Sequence, residues 1–595
     1  MTVTVLVARD LSGCSHRLAL DHGVVAGQHG FPQQTPDPAS VRRRKEAAAA
    51  HRARVRDMMH EGFGPNGLLT IAEGPSAVAA AATMAAMRAG APWIWNAVLP
   101  DDLDNGRAGR CELLMAQGTG YMPIIVVNHR ITVARARVTD PAQRPDDWQL
   151  PITSPLHRWE PAPDPGRKLR NLRRDQLRLA HLTRMLQHVG MAAVDRSAVV
   201  AHPGGADAPA ESGHRLVRGA VIGLDADCMV VVDLASPGRS GPESPSVLDD
   251  YDSRFERAQR IASGVQQTVP SRTAECRRCR WFERCGPELE LLGDVSVVAS
   301  GDRAEALRSI GIGTIDELAR YSGPPPVRWP TRGGQGSQAD FDDTVLMARA
   351  WLADAPLVRR VHQVAIPRAD IEIDVDMESF GEDGAYLWGT LRTDTATADG
   401  RAPRGTAPGS YRPFVTWVPL PTNDEARSFA EFWNWLMGER SAAVNSGKSF
   451  AAYCYSQQAE NRWLLGSAQR FAGMPGIPAR SDVERFIASP QWVDVFEYVG
   501  STFISPKGKG LKRIAPAAGF TWRDEEAGGE ASMDWYQRAV GIAGGQALPG
   551  VIAQPDMAQR TRLLEYNEDD VRATKALREW MDSPAVQQIP HIDDL

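Results

Sequence analysis

The chain has 595 residues, 43% hydrophobic and 24% charged, which is more than one hydrophobic core supports, so two large domains and a smaller module are expected. No apolar run approaches the roughly 20 residues of a membrane span, and the opening MTVTVLVARDLSGC lacks the basic and long apolar regions of a secretion signal, which points to a cytoplasmic protein with no membrane partner. A net charge of −6 excludes a uniformly basic surface of the kind that coats nucleic acid.

Against that balance, Arg42–Arg56 and Arg167–Arg184 are strongly cationic. Each can neutralise phosphates or serve as a solvated helix face. Helical patterns alternate with short apolar strands such as Tyr121–Val127 and Cys228–Val232, and Pro/Gly-rich loops fall at His202–Gly213 and Ala235–Ser246. Seven cysteines with no secretion signal do not suggest a disulfide framework. Three of them form Cys276-x2-Cys279-x5-Cys285, in which thiolates three residues apart can meet one centre. Cys14 is the best fourth ligand, because Cys111, Cys228 and Cys454 sit in strand-like stretches where a small apolar residue suffices. Four thiolates fit tetrahedral zinc or an iron–sulfur cluster, and spacing does not separate the two.

An early lone cysteine, a nuclease-sized stretch and then C-x2-C-x5-C resemble the iron–sulfur nucleases of the RecB/AddB type, which have a restriction-endonuclease-type α/β fold of the PD-(D/E)XK kind. The resemblance covers residues 1–290. It implies that Cys14, Cys276, Cys279 and Cys285 hold a structural [4Fe–4S] cluster stapling the two ends of the domain. It also implies an acid on one strand and acid-x-Lys on the next, which bind Mg²⁺ and activate water. Glu112 in GRCELL supplies the first acid, but Asn128-His129-Arg130 stands where acid-x-Lys is expected. Asp225/Asp227 with Asp233 also lack the lysine, and Gln176 in QLRLA matches the following glutamine, with Ala180 in place of its aromatic partner. Asn is a poor Mg²⁺ ligand and Arg does not deprotonate. The site of Glu112, Asn128, Arg130 and Gln176 therefore reads as degenerate and the domain as a DNA-binding clamp; the alternative is an active, diverged nuclease.

Residues 291–338 contain two short helical patterns joined at Gly311-Ile312-Gly313, then the linker Gly323–Gln338. Ile310–Ala319 resembles a helix-hairpin-helix, which implies that Gly311 and Gly313 present backbone N–H groups to a DNA phosphate. The alternative is a helical hairpin whose glycines only cap.

From 339 to 595 the pattern is again α/β. IEIDVDMES places Glu372, Asp374, Asp376 and Glu378 on one face of a strand, where carboxylates repel unless a divalent cation removes the cost. Much later, Tyr566 and Asp570 lie one helical turn apart, while Glu568 and Asp569 read as acids favouring a helix start. Asp376-x-Glu378 with Tyr566-x3-Asp570 resembles the DnaQ-like 3′→5′ exonucleases of the RNase-H superfamily, the DEDDy branch, over about residues 365–585. This implies two Mg²⁺ or Mn²⁺ ions held by carboxylates and a tyrosine that orients water. Glu460 is the candidate fourth carboxylate, with Asp494 the runner-up; Asp374-x-Asp376 is a second register. Lys507, Lys509 and Lys512 form a basic loop suited to phosphate contact, or an ordinary surface loop, and Trp463, Trp492, Trp522, Trp535 and Trp580 receive no role. The whole reads as a metal-dependent DNA nuclease, most simply a 3′→5′ exonuclease acting through Asp376, Glu378, Glu460, Tyr566 and Asp570. Lys512 contacts DNA, RNA stays open as substrate, and a helicase or other repair protein is the expected kind of partner. The alternatives are an active first domain or an inactive nucleic-acid-binding scaffold.

Overall fold

A computed structural model describes residues 3–25, 39–64, 67–134, 150–170, 172–193, 195–199, 215–236, 245–331, 334–395, 409–526, 528–542 and 554–595. They form two compact units, Met1–Leu289 and Glu290–Leu595. Among the described residues no helix is long and apolar enough to cross a membrane.

The first unit is built on strands β1 (Leu69–Thr70), β2 (Trp93–Val98), β3 (Arg110–Gln117), β4 (Gly120–Val126), β5 (Ile152–Ser154), β6 (Ala162–Pro163), β7 (Arg218–Ile222) and β8 (Met229–Asp233). They make one mixed sheet in the order β1-β2-β3-β4-β7-β8-β5-β6. Its helices are α1 (Ser15–Asp21), α2 (Ala39–Phe63), α3 (Ser76–Arg88), α4 (Arg173–His188), α5 (Val247–Ala262) and α6 (Phe282–Leu291). Period-two alternation divides the strands. Ile94, Cys111, Leu114, Tyr121 and Ile125 face a core shared with α3, α4 and α5. Trp93, Trp95, Leu113, Met115, Met122 and Ile124 face the other side, against Val55 and Met59 of α2. Glu112 stands on β3 between these layers, in register to look toward α4.

The second unit begins with α7 (Asp302–Ser309), α8 (Ile315–Arg320) and α9 (Gln338–Leu352). Between α7 and α8, Gly311 adopts φ +83°, as a helix terminator does. Gly311 N donates to Arg308 O at 3.1 Å, and Gly313 N donates to the Glu317 carboxylate at 2.8 Å. Thr314 and Glu317 form a reciprocal capping box on α8, so the hairpin caps itself.

Five strands follow: β9 (Ile371–Phe380), β10 (Gly384–Asp394), β11 (Ser410–Val415), β12 (Phe450–Cys454) and β13 (Trp492–Asp494), in the order β11-β10-β9-β12-β13. β9, β10 and β11 pair antiparallel, whereas β9, β12 and β13 pair parallel. The remaining helices are α10 (Asp424–Asn445), α11 (Gln458–Arg470), α12 (Arg480–Ile487), α13 (Val495–Thr502), α14 (Leu511–Ile514), α15 (Gly529–Ala539) and α16 (Met557–Met581). The odd residues of β9 (Ile371, Ile373, Val375, Met377) pack on Phe429, Phe432, Trp463 and Phe486 of α10–α12. Its even, acidic residues meet α16. That helix starts at Met557, nine residues before Tyr566, capped by Asp556, whose side chain accepts from Ala558 N and Gln559 N. Glu568 and Asp569 are therefore interior residues, not a helix start; they hold Arg523, with Arg523 Nε donating to Asp569 at 2.8 Å.

Candidate active site

The four carboxylates of β9 share a face, as alternation requires, but they do not share a fate. Glu372 and Asp374 are fully buried and face the fully buried Arg578 of α16. Arg578 donates to Asp374 at 2.8 Å and also to Glu372, and Arg368 Nε donates to Glu372 at 2.7 Å. Two carboxylates that seemed to require a cation are thus neutralised by guanidinium groups, and the alternative register Asp374-x-Asp376 is removed from metal chemistry.

The other two stand with α16. One oxygen each of Asp376, Glu378 and Asp570 lies within 4.8 Å of the others. Burial pushes the pKa of all three up; repulsion from Asp570, Glu378 and Glu460 adds to it at Asp376, and repulsion from Asp570 adds to it at Glu378. Three carboxylates in so small a space are a poor arrangement for a proton-only site and a good one for a hard divalent cation. Tyr566 is buried one turn before Asp570, and burial, with the charges of Glu378, Asp570 and Asp376, pushes its phenol pKa up.

Other side chains orient these ligands. Trp522 Nε1 donates to Asp570 Oδ1 at 2.7 Å, and Ser532 Oγ donates to Glu378 Oε2 at 3.0 Å. Asn567 Nδ2 donates to Asp376 Oδ2 at 2.7 Å while its Oδ1 accepts from the Tyr411 hydroxyl at 2.8 Å. Asn567 can do this only because Gly389, the residue paired with Asp376 in the sheet, has no side chain: a Cβ there would stand 1.5 Å from Asn567 Oδ1. Sequence reading missed Trp522, Ser532 and Asn567. Only Asn567 carried a signal, lying three residues before Asp570 and so on a neighbouring helical face.

Glu460, in the first turn of α11, is buried, and its Oε2 has no partner among the described residues. Burial raises its pKa to about 8, with Asp494 and Glu378 contributing. It lies close enough to repel Asp376 yet outside the tightest set of three oxygens. A buried carboxylate oxygen without a donor calls for a proton, a water or a cation. Asp494 is different: its oxygens accept from Ser456 N, Gln457 N and Phe496 N at 2.9, 3.1 and 3.0 Å, so it caps α13 and braces the turn into α11. Of the three lysines, Lys512 reaches the site. Its Nζ lies 4.8 Å from the Tyr566 ring centroid, and burial lowers its pKa although Asp570 and Glu378 oppose that. Lys507 pairs instead with Asp354, and Lys509 lies over Phe496.

A family model described as RNase_H superfamily matches residues 474–582. The second unit carries an RNase-H-like domain. The match contains Lys512, Trp522, Tyr566 and Asp570, while Asp376, Glu378 and Glu460 reach the same site from earlier in the chain. No curated protein and no solved structure matches the chain. Nucleases with an RNase-H-like domain use Mg²⁺ or Mn²⁺, and the acid cluster of this RNase-H-like domain is compatible with such ions.

In the first unit the residues singled out by sequence are dispersed. Glu112 accepts from Arg178 Nη2 on both oxygens, at 2.8 and 2.9 Å, and from Val126 N at 3.3 Å. Asn128 and His129 line a cavity of about 700 Å³, with His129 Nε2 3.0 Å from Asp175 Oδ2. Arg130 lines a separate cavity with Asp164, Arg167 and Asp225. Gln176 is not among the residues lining either cavity, because it lies two residues from Arg174 and Arg178 and so on another side of α4. Glu112, bound to Arg178 and Val126, lies beside the cavity that Asn128 lines, while Arg130 lines another and Gln176 neither. Asp225 accepts from Ile131 N and Thr132 N, Asp227 pairs with Arg167, and Asp233 accepts from Val217 N and Ala235 N.

The four cysteines do converge. Cys14, Cys276, Cys279 and Cys285 line one small cavity of about 20 Å³. Burial raises the pKa of Cys14 and Cys279, and that of Cys285 to about 11. The two ends of the first unit are also bound directly: Cys14 N donates to Glu275 at 3.2 Å, and Trp281 Nε1 and Arg280 Nη2 each donate to Asp21 at 2.7 Å.

Proposed function

We propose that this protein is a metal-dependent DNA nuclease that removes nucleotides from a 3′ end at the site of the second unit. The observation that carries the reading is the set of three carboxylate oxygens within 4.8 Å, from Asp376, Glu378 and Asp570, beside the Tyr566 phenol. Those acids and Glu460 would hold Mg²⁺ or Mn²⁺, which when bound stabilises the charge that develops on the phosphodiester oxygens. Tyr566 is placed to position the attacking water through its hydroxyl. Water oxygen bonds to phosphorus, the bond to the neighbouring 3′ oxygen breaks, and that oxygen takes the proton. Lys512 supplies a positive charge for the strand, and Trp522, Ser532 and Asn567 keep the acids in place.

The first unit fits a nucleic-acid-binding clamp of RecB-like descent, and its four cysteines fit a structural [4Fe–4S] cluster. The support for a shared centre is that all four thiols line one cavity.

The test is incubation of end-labelled single- and double-stranded DNA and RNA with Mn²⁺ or Mg²⁺. DNA shortened from its 3′ end by the wild type and left intact by Asp376→Asn is the expected result. Shortening that persists in Asp376→Asn, or digestion of RNA alone, would overturn the assignment.

A further inference from the structure

The large cavity of the first unit has an electrostatic design different from the acid site just described. Arg9, Arg110, Arg174 and Arg178 line it, against Asp101 and Asp175. Asp175 is held by His129, and Glu112, beside the cavity, is held on both oxygens by Arg178. Among the described residues, no set of three candidate metal ligands lies here. His181, on the cavity wall, is a structural group: Nε2 faces Ala108 O at 3.1 Å and Nδ1 faces the Tyr251 hydroxyl at 2.9 Å.

Arg178 spends only Nη2 on Glu112 and on Arg110 O. Its Nε and Nη1 make no hydrogen bond among the described residues, and the side chain lines the cavity with 32% of its surface exposed. Glu112 therefore aims a guanidinium fork whose remaining donors match the oxygens of a phosphate. Arg9 and Arg110 add exposed positive charge at the same cavity.

We propose that this cavity binds a phosphate of a nucleic-acid strand without any divalent ion, the Arg178 guanidinium occupying the carboxylate that a metal would otherwise use. The inference rests on the reading of the first unit as a clamp, and it names the clamp's ligand group and its metal independence. The pocket volume lies within the range of small-ligand sites, so one nucleotide unit of a strand, or a free nucleotide, could reach it.

The test uses the full chain carrying Asp376→Asn, so that cleavage at the other site does not consume the probe. Anisotropy of a fluorescein-labelled single-stranded DNA is followed in EDTA. Arg178→Met, and separately the exposed pair Arg9→Gln/Arg110→Gln, are expected to weaken binding about tenfold each and to lower the salt dependence. Glu112→Gln removes an anion and keeps one acceptor for Arg178, so metal-free binding persists. Competition by free nucleoside monophosphate at concentrations that leave a nucleoside ineffective assigns the ligand as phosphate; displacement only by intact strand assigns it as the backbone. Binding that needs Mg²⁺ and is lost in Glu112→Gln, or wild-type affinity in both arginine variants, overturns the proposal. Failure of the nuclease reading would appear elsewhere, as cleavage unaffected by Asp376→Asn.

Discussion

Gly389→Ala is the sharpest test of how the acid site is held. An added Cβ would meet Asn567 Oδ1 at 1.5 Å and Cγ at 2.6 Å, so the Asn567 side chain must leave its place. It then gives up the bond to Asp376 at 2.7 Å and the bond from Tyr411 at 2.8 Å, in a position with no solvent to replace them. A hydrogen bond to a charged group contributes about 1.5–3 kcal/mol and a neutral one about 1, and forced repacking costs about 1–3 more. The total is on the order of 4 kcal/mol, a fall of about 6 °C in the melting temperature of a unit this size. Losing the orienting amide of Asp376 should lower metal-dependent cleavage about 10- to 100-fold. Differential scanning fluorimetry and a cleavage assay read the two effects. In Gly389→Ala/Asn567→Gly the clash is gone, so stability should recover past that of Gly389→Ala while activity stays low, a non-additive pair. Wild-type melting and activity in Gly389→Ala, or losses that simply add in the double variant, would refute the reasoning.

Three further outcomes are expected. Asp376→Asn should lose about 100- to 1,000-fold in metal-dependent cleavage, several kcal/mol of charge stabilisation, yet melt no lower than wild type in EDTA, because it removes one of three mutually repelling buried acids; lower metal-free stability would contradict the site's electrostatics. Glu460 has a folded-state pKa of about 8 against an ordinary 4.5, so the folded protein keeps a proton that the unfolded chain releases across that interval. Its contribution therefore makes the metal-free protein less stable as pH rises from about 4.5 to 8 and level beyond. The stabilisation by Mg²⁺ should grow over the same interval, and melting curves of wild type and Glu460→Gln in EDTA should converge toward low pH; a gap that widens toward low pH would reverse the sign and refute it. Arg578→Met leaves Asp374 buried without its guanidinium and Glu372 with Arg368 alone, a loss of about 3–5 kcal/mol in denaturant unfolding; a loss under about 1 kcal/mol would mean that the network does not hold α16 to β9.

Much of the acid site was readable from local pattern. Period two along IEIDVDMES and the one-turn spacing of Tyr566 and Asp570 are properties of backbone geometry, so they predict which residues share a face before any packing is known. The capping of the hairpin was also local: Thr314-x-x-Glu317 is a capping-box pattern, and it decides where the Gly313 amide goes. Period could not say which acids of β9 take a cation and which take arginine. Arg578, 204 residues from Asp374 in the chain, decides that, and Asn567, 191 residues from Asp376, decides how the metal-facing acid is oriented. Likewise Glu112 was a plausible ligand by position, and Arg178 on α4 claims it only once that helix packs on β3. The cysteine spacing pointed to one centre, whereas the approach of Cys14 to Glu275 across 261 residues belongs to the fold. Sequence by itself determined the faces, the caps and the chemical inventory, because these follow from periodic backbone geometry over a few residues. Only the tertiary structure decided each charge's partner, because hydrogen bonds and ion pairs act over a few ångströms and packing alone brings distant side chains that close.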